Sequence, residues 1–85
     1  KNTLCIMLSH AKTDFTEIKS HFEAFCSNFG IEFELKEKQF EFLINGRSAE
    51  ISTKFGKGFI GEISSEVLNN FGIKTKTTVL ELPIM

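Results

Sequence analysis

The segment from Asp14 to Gly30 constrains the fold most, because it carries the signals of a single amphipathic helix. Asp14 and Glu17 have capping-box spacing, and Gly30 occupies the position that a left-handed C-terminal residue favours. Between them the apolar side chains recur at steps of three and four and form one stripe: Phe15, Ile18, Phe22, Phe25 and Phe29. The chain has 85 residues, so we expect residues 1–85 to form one domain around this helix.

Five other segments have the patterns of strands. Residues 4–10 form a continuous apolar run, which predicts a strand buried on both faces. Residues 31–36 and 48–55 alternate between apolar and polar, with one face toward a core. Residues 58–63 follow as a hairpin partner, and residues 73–84 are rich in β-branched side chains up to Pro83.

Glycine and serine mark the connections between these segments. Asn45-Gly46 predicts a turn, and residues 55–58 can close a tight hairpin. Ser64 or Ser65 is expected to cap a short helix that Gly72 ends and that carries Val67, Leu68 and Phe71. The resulting order predicts an α+β domain with a mainly antiparallel sheet of about five strands and two helices.

The composition argues for a phenylalanine-rich core and against a charged binding surface. There are ten Phe, no Trp, no Tyr and one Pro, and the net charge is −1. This balance gives no general attraction to nucleic acid or membrane, and no apolar run reaches the roughly 20 residues that span a bilayer. The chain begins with Lys1, which we interpret as a piece of a longer protein or a processed product. Four lysines could cluster at one end of the sheet, with an ordinary solvated surface as the alternative: Lys54, Lys57, Lys74 and Lys76.

The cysteines and histidines give only weak signals for chemistry. Cys5 and His10 have opposite parity on a strand, and His21 and Cys26 lie about 140° apart around a helix. Neither pair suits a zinc site, and a reactive thiol would need exposure that these apolar runs do not predict. We therefore expect two buried, unreactive, free cysteines of an intracellular protein and histidines near the surface.

The strand at residues 58–63 contains two glycines and a carboxylate, which is unusual for a strand. Gly58 and Gly61 predict a bulge or the close approach of another backbone. If Glu62 points inward, it needs a partner. We predict an ion pair between Glu62 and Arg47 on neighbouring strands.

Three segments of the chain together resemble a known family: LCIMLSHAKTDFTEIKSHFEAF, INGRSAEIS and GKGFIGEISSEVLNNFGIKTKTTVLEL. They resemble, in this order, the C-terminal part of the catalytic-like module of the phenylalanyl-tRNA synthetase β chain of the archaeal and eukaryotic type. Gly46-Arg47 matches a glycine-arginine pair of the family, and residues 61–63 match its Gly-Glu-Ile. The helix and its end match at Glu66-Val67-Leu68 and Phe71-Gly72. The family's usual His-Pro is Ser64-Ser65 here, and a frequent proline is replaced by Asn45.

The resemblance implies a class II synthetase-like fold that has lost its catalytic motifs. It implies a cytoplasmic heterotetramer, an ATP-dependent ligase in which this β-chain module packs on an α chain that binds ATP, phenylalanine and tRNA. ATP and magnesium would belong to the holoenzyme, and this fragment would have no cofactor, metal or catalytic residue. The domain would have no membrane partner, and tRNA would be reached through the holoenzyme. The implied structural and interface residues are Gly46, Arg47, Gly61, Glu62, Glu66, Phe71 and Gly72.

A free-standing α+β module that binds a protein or a small ligand is the alternative. The two hypotheses differ in the surface that they predict. A fragment lacks strands, exposes a sheet edge or a phenylalanine-rich patch, and is marginally stable or self-associates. A complete domain hides its ten phenylalanines.

Overall fold

A computed structural model describes residues 2–84 of the chain, so Lys1 and Met85 of the predicted domain lie outside the described residues. The α+β architecture with five strands and two helices is confirmed. All neighbouring strands are antiparallel, in the order β1-β5-β4-β3-β2. The elements are β1 (Thr3–Ser9), α1 (Phe15–Phe29), β2 (Phe33–Glu37), β3 (Leu43–Thr53), β4 (Gly56–Ile63), α2 (Ser65–Asn70) and β5 (Thr77–Pro83).

Helix α1 begins and ends where its sequence predicts. Asp14 is the N-cap, and its Oδ1 accepts a hydrogen bond from the Glu17 backbone N–H at 2.8 Å. Gly30 follows the helix in the left-handed conformation, with φ 65°. Both ends are fixed by contacts within a few residues, which explains why local sequence is enough to locate them.

One face of the sheet packs against α1 and forms the core. The helix contributes Ile18, Phe22 and Cys26, and the central strands contribute five buried aliphatic residues: Ala49, Ile51, Ile60, Leu80 and Leu82. The predicted apolar stripe is buried at Ile18 and Phe22, but Phe29 at its end is 69% exposed. Helical periodicity keeps Phe29 on the stripe, so its exposure results from its position as the last residue of α1.

Strand β1 is not buried on both faces, which corrects the prediction for residues 4–10. It is an edge strand that pairs with β5 alone, and its residues alternate between half-buried and exposed. Met7 is 58% exposed. The doubly buried run occurs instead in β5, over residues 77–80. A run of apolar residues shows that a segment is hydrophobic, but it does not show whether the strand lies at the edge or in the centre of the sheet.

Three connections differ from their predicted positions. Asn45-Gly46 does not separate two strands but lies inside β3, in an irregularity between Leu43 and Ser48. We call residues 44–47 the β3 bulge. The β3–β4 hairpin pairs Thr53 with Gly56, so its turn is two residues earlier than expected. Strand β5 begins at Thr77, four residues later than predicted.

The glycines of β4 permit close approach of other backbone, as predicted. A Cβ atom at Gly58 would overlap the carbonyl oxygen of Glu81 on β5. A Cβ atom at Gly61 would lie 2.9 Å from the carbonyl oxygen of Arg47 and 2.9 Å from Leu43 Cδ1. Gly61 therefore lets the β3 bulge fold against β4.

Replacing Gly58 with alanine should destabilise the domain by about 3 kcal/mol, the upper end of ordinary overpacking costs, because the obstructing group is backbone. Urea-induced unfolding measures this change in free energy. Lys57→Ala is the matched control, since its exposed side chain lies on the next residue of the strand, and it should change stability by less than about 0.5 kcal/mol. Equal stability of the two variants would contradict the close approach.

Candidate functional site

The carboxylate of Glu62 lies buried at one end of the sheet and contacts three other elements. Its side chain is 2% exposed. Oε2 accepts a hydrogen bond from the Phe15 backbone N–H at 2.9 Å. Oε1 lies 3.3 Å from Arg47 Nη1 and 3.7 Å from Lys76 Nζ. The predicted ion pair between Glu62 and Arg47 is confirmed.

The local backbone explains how these partners reach Glu62. Arg47 is the last residue of the β3 bulge, which directs it across β4. Phe15 is the first residue of α1, so its N–H is one of the donors that a helix leaves unpaired at its start. A carboxylate at this position also interacts favourably with the positive end of the helix dipole. No sequence pattern predicts the contact with Phe15, because it joins residues that are 47 positions apart.

A second hydrogen-bonded group of side chains lies between the start of α1 and the strand next to Glu62. Thr78 pairs with Glu62 across the strands, and its Oγ1 is 2.9 Å from Thr13 Oγ1. Thr13 donates to Glu17 Oε1 at 2.6 Å, and His10 Nε2 lies 2.8 Å from the same carboxylate oxygen. The hydrogen bond from Thr13, together with His10, lowers the pKa of the Glu17 carboxyl. The Glu17 carboxylate thus accepts a hydrogen bond from Thr13 and contacts His10, while the Glu17 backbone N–H donates to the N-cap residue Asp14.

The other predicted site residues belong to α2 and its end. Ser64 caps this helix and accepts from the Val67 N–H at 3.4 Å. Glu66 is exposed in the first turn, and Phe71 is 77% exposed at the C-terminal end. Gly72 follows with φ 71°, a conformation that favours glycine.

An open groove of about 340 Å³ separates α2 from the β3 bulge. We call it the α2 groove. Its apolar lining comes from the bulge, the end of β4, α2 and the segment before β5, which contribute Ile44, Ile63, Leu68 and Ile73. Lys74 and Lys76 also line it. The predicted site residues are sequence neighbours of the lining: Ile44 belongs to the β3 bulge with Gly46 and Arg47, and Ser65 and Ile73 adjoin Glu66 and Gly72.

The four lysines proposed as a cluster do not form one. Lys54 and Lys57 lie at the β3–β4 hairpin, where Lys57 Nζ is 3.8 Å from Glu50 Oε1. Lys74 and Lys76 precede β5 at the opposite end of the sheet. The hairpin connection and the strand order separate the pairs by the length of β4.

The thiols occupy different environments. Cys26 is buried in the core as predicted, and burial raises the pKa of its thiol. The prediction for Cys5 is wrong, because it lies on the exposed face of the edge strand β1. Among residues 2–84, no three His, Cys, Asp or Glu side chains converge in a way that could hold a metal ion.

Comparison with known proteins identifies the family of this chain. The model described as the phenylalanyl tRNA synthetase beta chain CLM domain matches residues 1–84. The chain belongs to this family. The resemblance carried by residues 4–25, 44–52 and 56–82 is thereby confirmed at the level of the family.

Relatives within the phenylalanyl-tRNA synthetase beta chain family come from bacteria and archaea. The chain is 44% identical to the phenylalanine–tRNA ligase beta subunit of Borreliella afzelii over 82 residues, covering 95% of this chain and 14% of the relative. It is 32% identical to that of Thermococcus onnurineus over 83 residues, 96% of the chain and 14% of the relative. The corresponding values for Methanosphaera stadtmanae are 38% over 77 residues, 81% and 14%.

The chain thus spans about one seventh of the length of these beta subunits. In residues 2–84 no helix has the length and apolar character needed to cross a membrane.

A double-mutant cycle should detect the ion pair between Arg47 and Glu62. With Arg47→Ala and Glu62→Gln, we expect a coupling energy of about 1 kcal/mol, since Glu62 is buried but Arg47 is half exposed. Urea unfolding of the four proteins measures it. The pair of Lys57 and Glu50 is the control, because the Lys57 side chain is 72% exposed and its Nζ is 3.8 Å from Glu50 Oε1; its expected coupling is about 0.2 kcal/mol. Similar couplings for the two pairs would contradict a special role for Glu62.

The pH dependence of stability should report the lowered pKa of Glu17. Because this pKa is lower in the folded state, the unfolded state binds more protons in acid. The Glu17 contribution is therefore complete above about pH 4.5, the ordinary glutamate value, and is lost as the pH falls through the folded-state pKa. Glu17→Gln should flatten this acid limb in pH-dependent unfolding. Glu23→Gln, an exposed substitution on the same helix, should leave it unchanged, and a steep limb in Glu17→Gln would overturn the assignment.

Proposed function

We propose that this domain is a structural and assembly element of the beta subunit of phenylalanine–tRNA ligase. In this role it supports the α-chain active site that joins phenylalanine to its tRNA with ATP, and it performs no chemistry itself. Membership of the beta chain family supports the proposal. The residues at the Glu62 site also favour it, because both oxygens of the buried carboxylate contact structural partners.

The observation that carries the proposal is the apolar surface around α2. Phe71 is 77% exposed and Ile73 38% exposed, and Ile73 also lines the α2 groove. Exposed aromatic and aliphatic side chains beside a groove are typical of a surface that another protein covers. Of the ten phenylalanines, only Phe22 is fully buried, which agrees with the expectation for a fragment rather than for a complete small domain.

The finer features implied by the family belong to this proposal. The domain would form the C-terminal part of a class II synthetase-like module, with further strands supplied by the rest of the subunit. The holoenzyme would be a cytoplasmic heterotetramer that uses ATP and magnesium at the α chain. Transfer RNA would be reached through that assembly. We propose that the α2 groove, together with Glu66, Phe71 and Gly72, forms the surface that meets the α chain.

Replacing Phe71 with serine in the full-length beta subunit should weaken association with the α chain by at least about thirtyfold, the loss expected for an anchor worth about 2 kcal/mol. Sedimentation or titration calorimetry with purified α chain measures the dissociation constant. Phe29→Ser is the matched control, since Phe29 is 69% exposed at the end of α1, away from the groove.

Because both side chains are exposed, both variants should unfold at the same denaturant concentration as the wild type. Equal affinity of all three proteins for the α chain would show that the α2 surface is not the interface. Loss of affinity in Phe29→Ser alone would move the interface to the end of α1.

A further inference from the structure

The β3 bulge combines the conditions for a spontaneous covalent change at Asn45. The bulge interrupts the pairing of β3 with β4 between Leu43 and Ser48. Asn45 and Gly46 are both exposed, and a Cβ atom at Gly46 would have no neighbour within 4 Å. Within residues 2–84 the side-chain amide of Asn45 has no hydrogen-bond partner that would hold it in place.

We propose that Asn45 is a site of spontaneous deamidation. The Gly46 backbone nitrogen, after losing its proton to solvent base, attacks Cγ of Asn45. A new N–Cγ bond forms, the Cγ–Nδ2 bond breaks, and ammonia leaves with a proton from solvent. The five-membered succinimide is then opened by one water molecule at either carbonyl, which yields aspartate or isoaspartate. The net change replaces the side-chain NH2 by the OH of water, and no oxidant or reductant is needed.

Glycine at residue 46 distinguishes this asparagine from others in the chain. Ring closure brings the side chain of one residue onto the backbone nitrogen of the next, so a bulky following residue obstructs it. Asn28 precedes Phe29, and Asn70 precedes Phe71. Asn28 and Asn70 also lie in helices, where hydrogen bonding restricts the backbone rotation that the reaction needs.

The reaction would alter the surroundings of Glu62. A carboxylate at residue 45 lies two positions from Arg47, whose side chain is 58% exposed and can turn toward it. The new charge would then compete with Glu62 for the guanidinium group. In the isoaspartate form the backbone of the bulge also gains a methylene group, which displaces Arg47 relative to β4. Deamidation is therefore expected to loosen the contact that joins the bulge to the buried carboxylate.

Incubation of the purified full-length protein in mildly alkaline buffer, followed by peptide mass spectrometry, tests the proposal. The peptide that contains Asn45 should gain the mass difference between NH2 and OH at least about tenfold faster than the peptide that contains Asn28, as a barrier lower by about 1.4 kcal/mol would produce. The rate should rise with pH, because the attacking nitrogen must lose its proton. Both aspartate and isoaspartate should appear.

Asn45→Gln should abolish the fast reaction, because the longer glutamine side chain closes a less favourable ring. Asn45→Asp should reproduce the weakened coupling between Arg47 and Glu62. Equal rates at Asn45 and Asn28 would overturn the proposal. Formation of aspartate without isoaspartate would also overturn it, since direct hydrolysis gives only aspartate.

Discussion

The buried carboxylate of Glu62 is the interaction on which this end of the domain depends. Removing a carboxylate from water costs several kcal/mol unless the protein supplies partners. Here the partners are the N–H of Phe15, the guanidinium of Arg47 and the ammonium of Lys76. They belong to α1, the β3 bulge and the segment before β5. One side chain of β4 therefore fixes the position of three neighbouring segments, and each of them loses a charge partner or a hydrogen-bond acceptor if the carboxylate is removed.

The glycine beside this carboxylate is part of the same arrangement. Without a Cβ atom at Gly61, the backbone of Arg47 can approach β4 closely enough for its side chain to reach Glu62. The same bulge presents Ile44 to the α2 groove. The internal ion pair and the external groove are thus two sides of one short segment. In the proposed assembly role, the buried charge would hold one wall of the docking surface in place, although it takes no part in the docking itself.

The features predicted correctly from sequence are those that depend on nearby residues. Helix α1 is defined by its own cap, its periodicity and its final glycine, all within 17 residues. The Glu62–Arg47 pair was predicted because a buried charge needs an opposite charge. The contacts with Phe15 and Lys76 were missed, because they depend on how distant segments pack. The turn predicted at Asn45-Gly46 is a bulge for a related reason. An Asn-Gly pair indicates where the chain bends, but the pairing with neighbouring strands decides whether the strand continues after the bend.

Amide hydrogen exchange at Phe15, measured by NMR, tests most directly whether Glu62 fixes the start of α1. The backbone N–H of Thr16, the next in the first turn, has no hydrogen-bond acceptor within the described residues and provides an internal reference. If the Glu62 carboxylate holds the helix as described, the Phe15 amide exchanges much more slowly than the Thr16 amide, and Glu62→Ala removes the difference. Equal exchange at the two amides in the wild-type protein would contradict the central role of Glu62.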